Sequence, residues 1–148
     1  MSAPAFTPIL LGSDFNVYGM ARSFYELYHK PVKAFAEIEL APTRFTKIVD
    51  LESVSEVMNL GKFDNIIINC YKPTLKTFKT LPNLLNKEGV IILSSFNYRQ
   101  SEEKEFPRKY CLEENEFINI SNDLTLIKHD VFTDERGYFD GYVFKLKR

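Results

Sequence analysis

The run Phe63-Asp64-Asn65-Ile66-Ile67-Ile68-Asn69-Cys70-Tyr71 limits what this chain can fold into more than any other stretch. It is an unbroken apolar segment, rich in β-branched residues, between polar ends. That pattern predicts a strand buried on both faces. Such strands sit in the middle of parallel sheets, covered by helices on either side. The flanking segments must then supply its sheet neighbours, and its carboxyl end must point into a ligand crevice.

The flanking segments meet that requirement. Thr7-Pro8-Ile9-Leu10-Leu11 reads as a first strand and Gly12-Ser13-Asp14 as a turn. Val17, Met20, Ala21, Phe24, Leu27 and Tyr28 recur at helical spacing behind Asn16 as N-cap, and Pro31 enforces the stop. Val32 to Ile38 and Thr46 to Leu51 read as strands joined by a loop at Ala41-Pro42-Thr43. Ser53-Val54-Ser55-Glu56 is a capping box for a short helix that Gly61 closes. After the central strand, Thr74 caps a helix with Leu75, Phe78, Leu81 and Leu85 inward, interrupted by Pro82. Val90-Ile91-Ile92-Leu93 is a second doubly buried strand. Residues 95 to 112 read as a long polar connection and Glu113 to Ile120 as a short helix. Thr125 to Phe132 and Tyr138 to Leu146 read as an antiparallel pair about the turn Asp134-Glu135-Arg136-Gly137.

The order β-α-β-β-α-β-α-β-(α)-β-β predicts an α/β fold, a three-layer Rossmann-like sandwich with a mostly parallel sheet and an antiparallel C-terminal edge. A length of 148 residues suits a single domain, and 45 % apolar with 26 % charged residues is a globular composition. A net charge of −1 gives no electrostatic case for nucleic acid or an anionic membrane. No apolar run approaches a membrane span, and the start of the chain lacks the pattern of a signal peptide, so the expectation is a cytoplasmic protein. Cys70 and Cys111 belong to no metal-binding pattern, and His29 and His129 are isolated, so no metal is expected.

Two resemblances meet at the third strand. Leu10-Leu11-Gly12-Ser13-Asp14-Phe15-Asn16-Val17-Tyr18-Gly19-Met20-Ala21-Arg22-Ser23-Phe24, continued by Leu40 to Asp50, resembles the opening segment of bacterial ATP-grasp carboxylate–amine ligases. The likeness covers residues 6–51, a Rossmann-like preface in those ligases. Their ATP clamp and metal carboxylates come from later lobes with no counterpart here, so ligase activity is not expected. From about residue 49 to 148 the chain is similar to small class I methyltransferases of the tellurite-resistance type, which use S-adenosylmethionine. Phe63 to Tyr71 matches their fourth strand, and Leu84 to Phe96 matches their fifth strand with its preceding turn. Phe106-Pro107-Arg108-Lys109 and Leu112 to Phe117 match the segment after it. The single domain thus divides into a ligase-preface-like half, 6–51, and a methyltransferase-like half, 52–148. A natural fusion, a diverged methyltransferase and an artificial chimera all remain open.

The methyltransferase resemblance implies cofactor contacts at the carboxyl ends of the strands. Gly12, Ser13 and Asp14 occupy the place of the glycine motif, but only one glycine is present and Phe15 stands where glycine is expected. The alternative is a turn whose Asp14 and Asn16 cap the backbone. Glu37 or Glu39 could bond ribose hydroxyls, or sit on a solvated strand end. Asp50 and Leu51 fall where the family contacts adenine, although Asp50 could instead help cap the next helix. Asn69, Cys70 and Tyr71 end the central strand. Cys70 reads as a buried structural thiol, His29 as a helix C-cap and His129 as exposed. Lys104, Arg108 and Lys109 could reach an anionic substrate or lie on a solvated face. Catalytic residues are unknown. The function expected is a methyltransferase-like domain with an eroded glycine motif, binding a small molecule, with S-adenosylmethionine as the implied cofactor. The alternative is a non-catalytic α/β scaffold. Neither substrate nor oligomeric state is legible.

Overall fold

A computed structural model describes residues 8–11, 15–29, 32–36, 46–48 and 50–147. Its strands are β1 (Pro8–Leu11), β2 (Lys33–Ala36), β3 (Thr46–Ile48), β4 (Phe63–Asn69), β5 (Leu85–Phe96), β6 (Leu124–Asp134) and β7 (Gly137–Leu146). They form one seven-stranded sheet in the order β3-β2-β1-β4-β5-β7-β6. The first five are mutually parallel, while β7 lies antiparallel between β5 and β6. The expected parallel core and antiparallel edge are both present. Only β7 runs against the sheet, because a strand antiparallel to β7 must run the same way as β5.

β4 is central, as its apolar run requires. Leu10 pairs with Ile67 on one side and Ile92 pairs with Ile67 on the other. Period two then divides the isoleucines between the faces. Ile66 and Ile68 join Ile9, Leu11, Ile91 and Leu93 in the larger core. Ile67 joins Leu10 and Val32 beneath α1 (Phe15–Tyr28), which packs Met20, Ala21 and Phe24 there. On the larger-core side lie α2 (Val54–Met58), α3 (Leu75–Phe78) and a 3-10 turn at Leu81–Leu84, contributing Val57, Phe78, Leu81 and Leu84. The helix α1, whose crossover from β1 to β2 runs one way across the sheet, therefore covers the opposite face from α2 and α3, whose crossovers run the other way, as right-handed connections demand.

Local chemistry explains the boundaries. α1 already includes Asn16, so this residue is not the cap; the preceding turn lies outside the described residues. The helix ends at His29, whose φ of 52° is left-handed and whose N–H donates to the Tyr25 carbonyl at 2.8 Å. In α2 the Ser53 side chain accepts from the Glu56 N–H, but the Glu56 carboxylate reaches back to the Asp50 N–H at 3.0 Å. Thr74 caps α3 through the Thr77 N–H, and Pro82 confines the next residues to a 3-10 turn. Because α3 is one turn long, the expected inward stripe does not extend along it. Leu75 is 44 % exposed, and Leu85 opens β5 instead of closing a helix.

Two further expectations are corrected. Residues 95–112 are not an unstructured connection but carry α4 (Tyr98–Lys104), capped by the Asn97 side chain, and a 3-10 turn at Arg108–Tyr110. Glu113 to Ile120 forms successive turns, not a helix, although Phe117 at its centre is fully buried.

α4 is fastened to the β6–β7 hairpin. Gln100 accepts from the Tyr138 N–H through Oε1 at 3.1 Å and donates from Nε2 to the Arg136 carbonyl at 3.1 Å. That grip needs Gly137, where φ is +141° and an added Cβ would stand 1.8 Å from Gln100 Oε1. Gly137→Ala should lower stability by about 2 kcal/mol or more, combining backbone strain with displacement of Gln100. Ile67, 9 % exposed, should cost about 2–5 kcal/mol when cut to alanine. Chemical denaturation checks both; an Ile67→Ala loss under about 1 kcal/mol would contradict the central placement of β4.

Candidate functional site

Parallel strands bring their carboxyl ends to one edge of the sheet, and the order reverses there between β1 and β4. An open α/β sheet has its crevice at such a reversal. β4 leaves the sheet at Cys70, which adopts a left-handed φ of 53° while its N–H still donates to the Ser94 carbonyl at 2.8 Å. A non-glycine residue in this region costs about 1–2 kcal/mol. The bond to β5 holds it there, and the turn sends Asn69 and Tyr71 to different grooves.

Asn69 lines a groove of about 560 Å³ with Gly19, Met20, Ser23, Phe24, Leu27 and Tyr28 of α1, and with Arg136 from the hairpin. Arg136 is held at the rim by Asp134, with Nε at 3.0 Å and Nη2 at 2.5 Å from Oδ2, and its guanidinium lies 4.7 Å over the Phe139 ring. The Asp134 hydrogen bond raises the Arg136 pKa, and Arg136 in turn holds the Asp134 carboxyl below the usual range.

The second groove, about 490 Å³, is lined by Cys70, Tyr71, Ser95, Phe96, Phe106 and Tyr110, with Glu52, Lys72 and Lys109 as its charged members. Tyr71 donates its hydroxyl to Glu52 at 3.0 Å. Lys72 is engaged with the Cys111 carbonyl at 2.7 Å and the Glu116 carboxylate at 3.0 Å. Lys109 lies 4.7 Å over the Tyr110 ring. Arg108 is committed to Glu113 and Glu102, its Nη2 2.5 Å from Glu113 Oε2. These bonds keep the guanidinium firmly charged and the Glu113 carboxyl below its ordinary pKa. Lys104 is exposed in the last turn of α4. Of the three cations expected from this segment, only Lys109 borders the groove.

The structure separates the residues singled out from sequence. Gly12, Ser13, Asp14, Glu37 and Glu39 lie outside the described residues. Asp50 is exposed, and its Oδ1 accepts from the Glu52 N–H at 2.9 Å in the turn leading to α2. Leu51 is buried in the larger core, with its carbonyl accepting from Thr77 Oγ1 at 2.9 Å. Asn69 opens onto the first groove. Cys70 is half-buried at the groove wall, not sealed in the core as expected; the sealed thiol is Cys111.

Sequence reading missed a buried polar cluster behind the second groove. Asn97 and Asp140, 1 % and 3 % exposed, join through Nδ2 and Oδ1 at 3.0 Å. The other Asp140 oxygen accepts from the Tyr142 hydroxyl at 3.2 Å and lies 3.4 Å from His129 Nε2. His129 stacks on Tyr142 with ring centroids 4.3 Å apart, so it is partly buried and not the exposed strand residue expected. Burial, reinforced by Asp140, pushes the Tyr142 phenol pKa upward. The alternation that puts Asp140, Tyr142 and Phe144 on one face of β7 was the available signal. Among the described residues no group of His, Cys, Asp or Glu side chains is placed to hold a metal ion, and no helix is long and apolar enough to cross a membrane.

No family model matches the chain. A 49-residue stretch is 63 % identical to D-aspartate ligase of Enterococcus faecium (strain Aus0004), covering 33 % of this chain and 12 % of that protein. Solved structures resemble nearly the whole chain. TehB from Haemophilus influenzae superposes with a TM-score of 0.68 at 13 % identity, over 97 % of this chain and 58 % of that one. An S-adenosylmethionine-dependent methyltransferase from Clostridium acetobutylicum ATCC 824 gives 0.66 at 11 % identity, over 96 % and 84 %. Magnesium protoporphyrin IX methyltransferase from Synechocystis PCC 6803, solved with bound SAH, gives 0.62 at 14 % identity, over 97 % and 75 %. The fold is that of the class I methyltransferases, Rossmann-like.

The two thiols should differ sharply in reactivity. A thiol reagent monitored by absorbance and mass spectrometry should modify Cys70 in the native protein. Cys111, fully buried and with its pKa raised by that burial, should react only on unfolding. Equal native rates would contradict the placement of Cys111.

Proposed function

We propose that the chain is a methyltransferase-like domain whose carboxyl edge takes an adenosyl ligand weakly, with little or no turnover. The observation that carries this reading is the reversal of strand order at β1 and β4, which sets Asn69 beside a crevice within a class I methyltransferase fold. TehB is longer than this chain, which spans 58 % of it, so activity does not follow from the likeness alone.

The described residues fit such a ligand at two points and not at a third. Asn69 presents an amide to the first groove, and exposed Asp50 retains its second carboxylate oxygen beyond the one held by the Glu52 N–H. Leu51 is turned into the core with its carbonyl already bonded, and offers an adenine ring no side chain. S-adenosylmethionine, when bound, would supply an electrophilic methyl group on its sulfonium. The chain's own part is positioning, which is most of what in-line displacement needs from a protein. Asn69 would orient the ligand, and the aromatic wall of Phe96, Phe106 and Tyr110 would exclude water from an acceptor seated in the second groove.

The second reading is a non-catalytic α/β scaffold, a fusion of two Rossmann-like segments. What favours it is the prior engagement of Leu51, together with the presence in the sequence of Phe15 where the methyltransferase motif has glycine. The 49-residue ligase-like match inside a methyltransferase fold fits a composite origin, since both families begin β-α-β.

Calorimetry with S-adenosylhomocysteine separates the two. The expected result is weak binding, with a Kd on the order of 1 mM, strengthened about tenfold or more by Phe15→Gly. Absence of binding to either variant would favour the scaffold. Submicromolar binding by the unaltered chain would overturn the eroded-loop part of the proposal.

A further inference from the structure

We propose that β6 pairs edge to edge with β6 of a second copy of this chain, antiparallel about a two-fold axis at Val131. β6 is the last strand of the sheet and runs for 11 residues, Leu124–Asp134, a long template for pairing. Its outward ladder groups follow from the hairpin. Tyr138 turns its backbone away from β6, its N–H donating to Gln100 Oε1 and its carbonyl accepting from the Asn97 N–H. Its partner Thr133 is therefore in a non-hydrogen-bonded pair, and alternation places Val131 and His129, opposite Asp140 and Tyr142, in the same class. The N–H and C=O groups of His129, Val131 and Thr133 thus point away from the sheet.

The register is fixed by a bulge. β6 carries one extra residue between Leu126 and Lys128, so its regular segment begins at Lys128. A pairing confined to Lys128–Asp134 must centre on Val131, which is 63 % exposed. That register sets His129 against the second copy's Thr133 and Val131 against its own counterpart, and every ladder bond is then made by an outward-facing group. It also sets Lys128, paired within its own strand with Asp130 at 2.6 Å, opposite Asp134 of the second copy, which holds Arg136 at 2.5 Å. The two surface ion pairs thus meet as one network, twice by symmetry. Lys128 and Asp134 share a face of β6, and cross-strand pairs of opposite charge stabilise such a contact. The charge match selects a second copy over an unrelated strand, because the same seven-residue segment carries both complements at the required spacing.

Sedimentation equilibrium over a concentration series tests this. The expected result is a monomer–dimer equilibrium resolved below about 1 mM. Val131→Pro removes one outward N–H and no bond to β7, and edge strands tolerate proline. It should weaken association about tenfold or more. Val131→Lys, which places like charges at the axis, should do the same should the proline variant misfold. In a Cys70→Ser background, Val131→Cys should cross-link to itself on oxidation, whereas Ile127→Cys in the bulge should not. A monomer throughout the series, unchanged association in both Val131 variants, or equal cross-linking at the two positions would overturn the proposal.

Discussion

The pairing of β4 on both edges is the constraint on which the rest of the structure depends. Its peptide groups are satisfied by β1 on one side and β5 on the other, so its three consecutive isoleucines can be withdrawn from water without leaving a backbone donor or acceptor unpaired. Burying each is worth about 1.5–3 kcal/mol. A slip of one residue would exchange Ile67 with Ile66 and Ile68 between a narrow layer under α1 and a deep core under α2 and α3. Those two layers have different volumes, so the register is held by packing as much as by hydrogen bonds. The same register delivers Asn69 and Cys70 to the carboxyl edge, which couples the crevice directly to the core.

Signals that come from burial on a regular period were legible in the sequence. The run at Ile66–Ile68, the helix over Leu10 and the alternation in β7 belong to this class. β5, by contrast, is buried on one face only, with Ile92 38 % exposed, and not on both as its apolar run suggested. β6 leaves Ile127, Val131 and Phe132 exposed because it is the outermost strand. What was not legible has a physical reason in each case. α4 carries a single buried residue, the polar Gln100, so no apolar stripe announces it. Its signals were Asn97 as a cap and the Arg99–Glu103 pair one turn apart, joined at 2.8 Å. The segment around Phe117 has an apolar pattern that resembles a helix, yet it is folded into turns over the sheet. Its burial is set by Phe78, whose ring centroid lies 4.8 Å away, and not by helical period.

The candidate site was legible as a place more than as a set of contacts. Strand ends identify the edge, because parallel strands must finish together. They do not reveal whether a group at that edge is already spoken for. Asp50 and Leu51 stand where a ligand could be met, and both are tied to the fold through their backbones, the Asp50 N–H to Glu56 of α2 and the Leu51 carbonyl to Thr77 of α3. Only Leu51 has its side chain withdrawn into the core as well. His129 shows the converse. Nothing in its alternating strand marks it, and only the neighbouring Asp140 and Tyr142 draw it inward.

The interposition of β7 between β5 and β6 has a consequence for how the sheet assembles. β6 precedes β7 along the chain but touches the sheet only through it, so β6 has nothing to add to until β7 has docked. That docking joins Val90 to Lys145 and Ser95 to Asp140, contacts far apart in sequence whose closure entropy must be met before any ladder bond repays it. The parallel half meets a comparable demand, since Leu11 pairs with Ile68 across an equally long stretch of chain. The hairpin joins the parallel sheet through β7, with Gln100 and Asn97 at the top of β5 receiving Tyr138. Whatever loosens that seam therefore loosens both closing strands together, in the half of the sheet that carries no part of the crevice reversal.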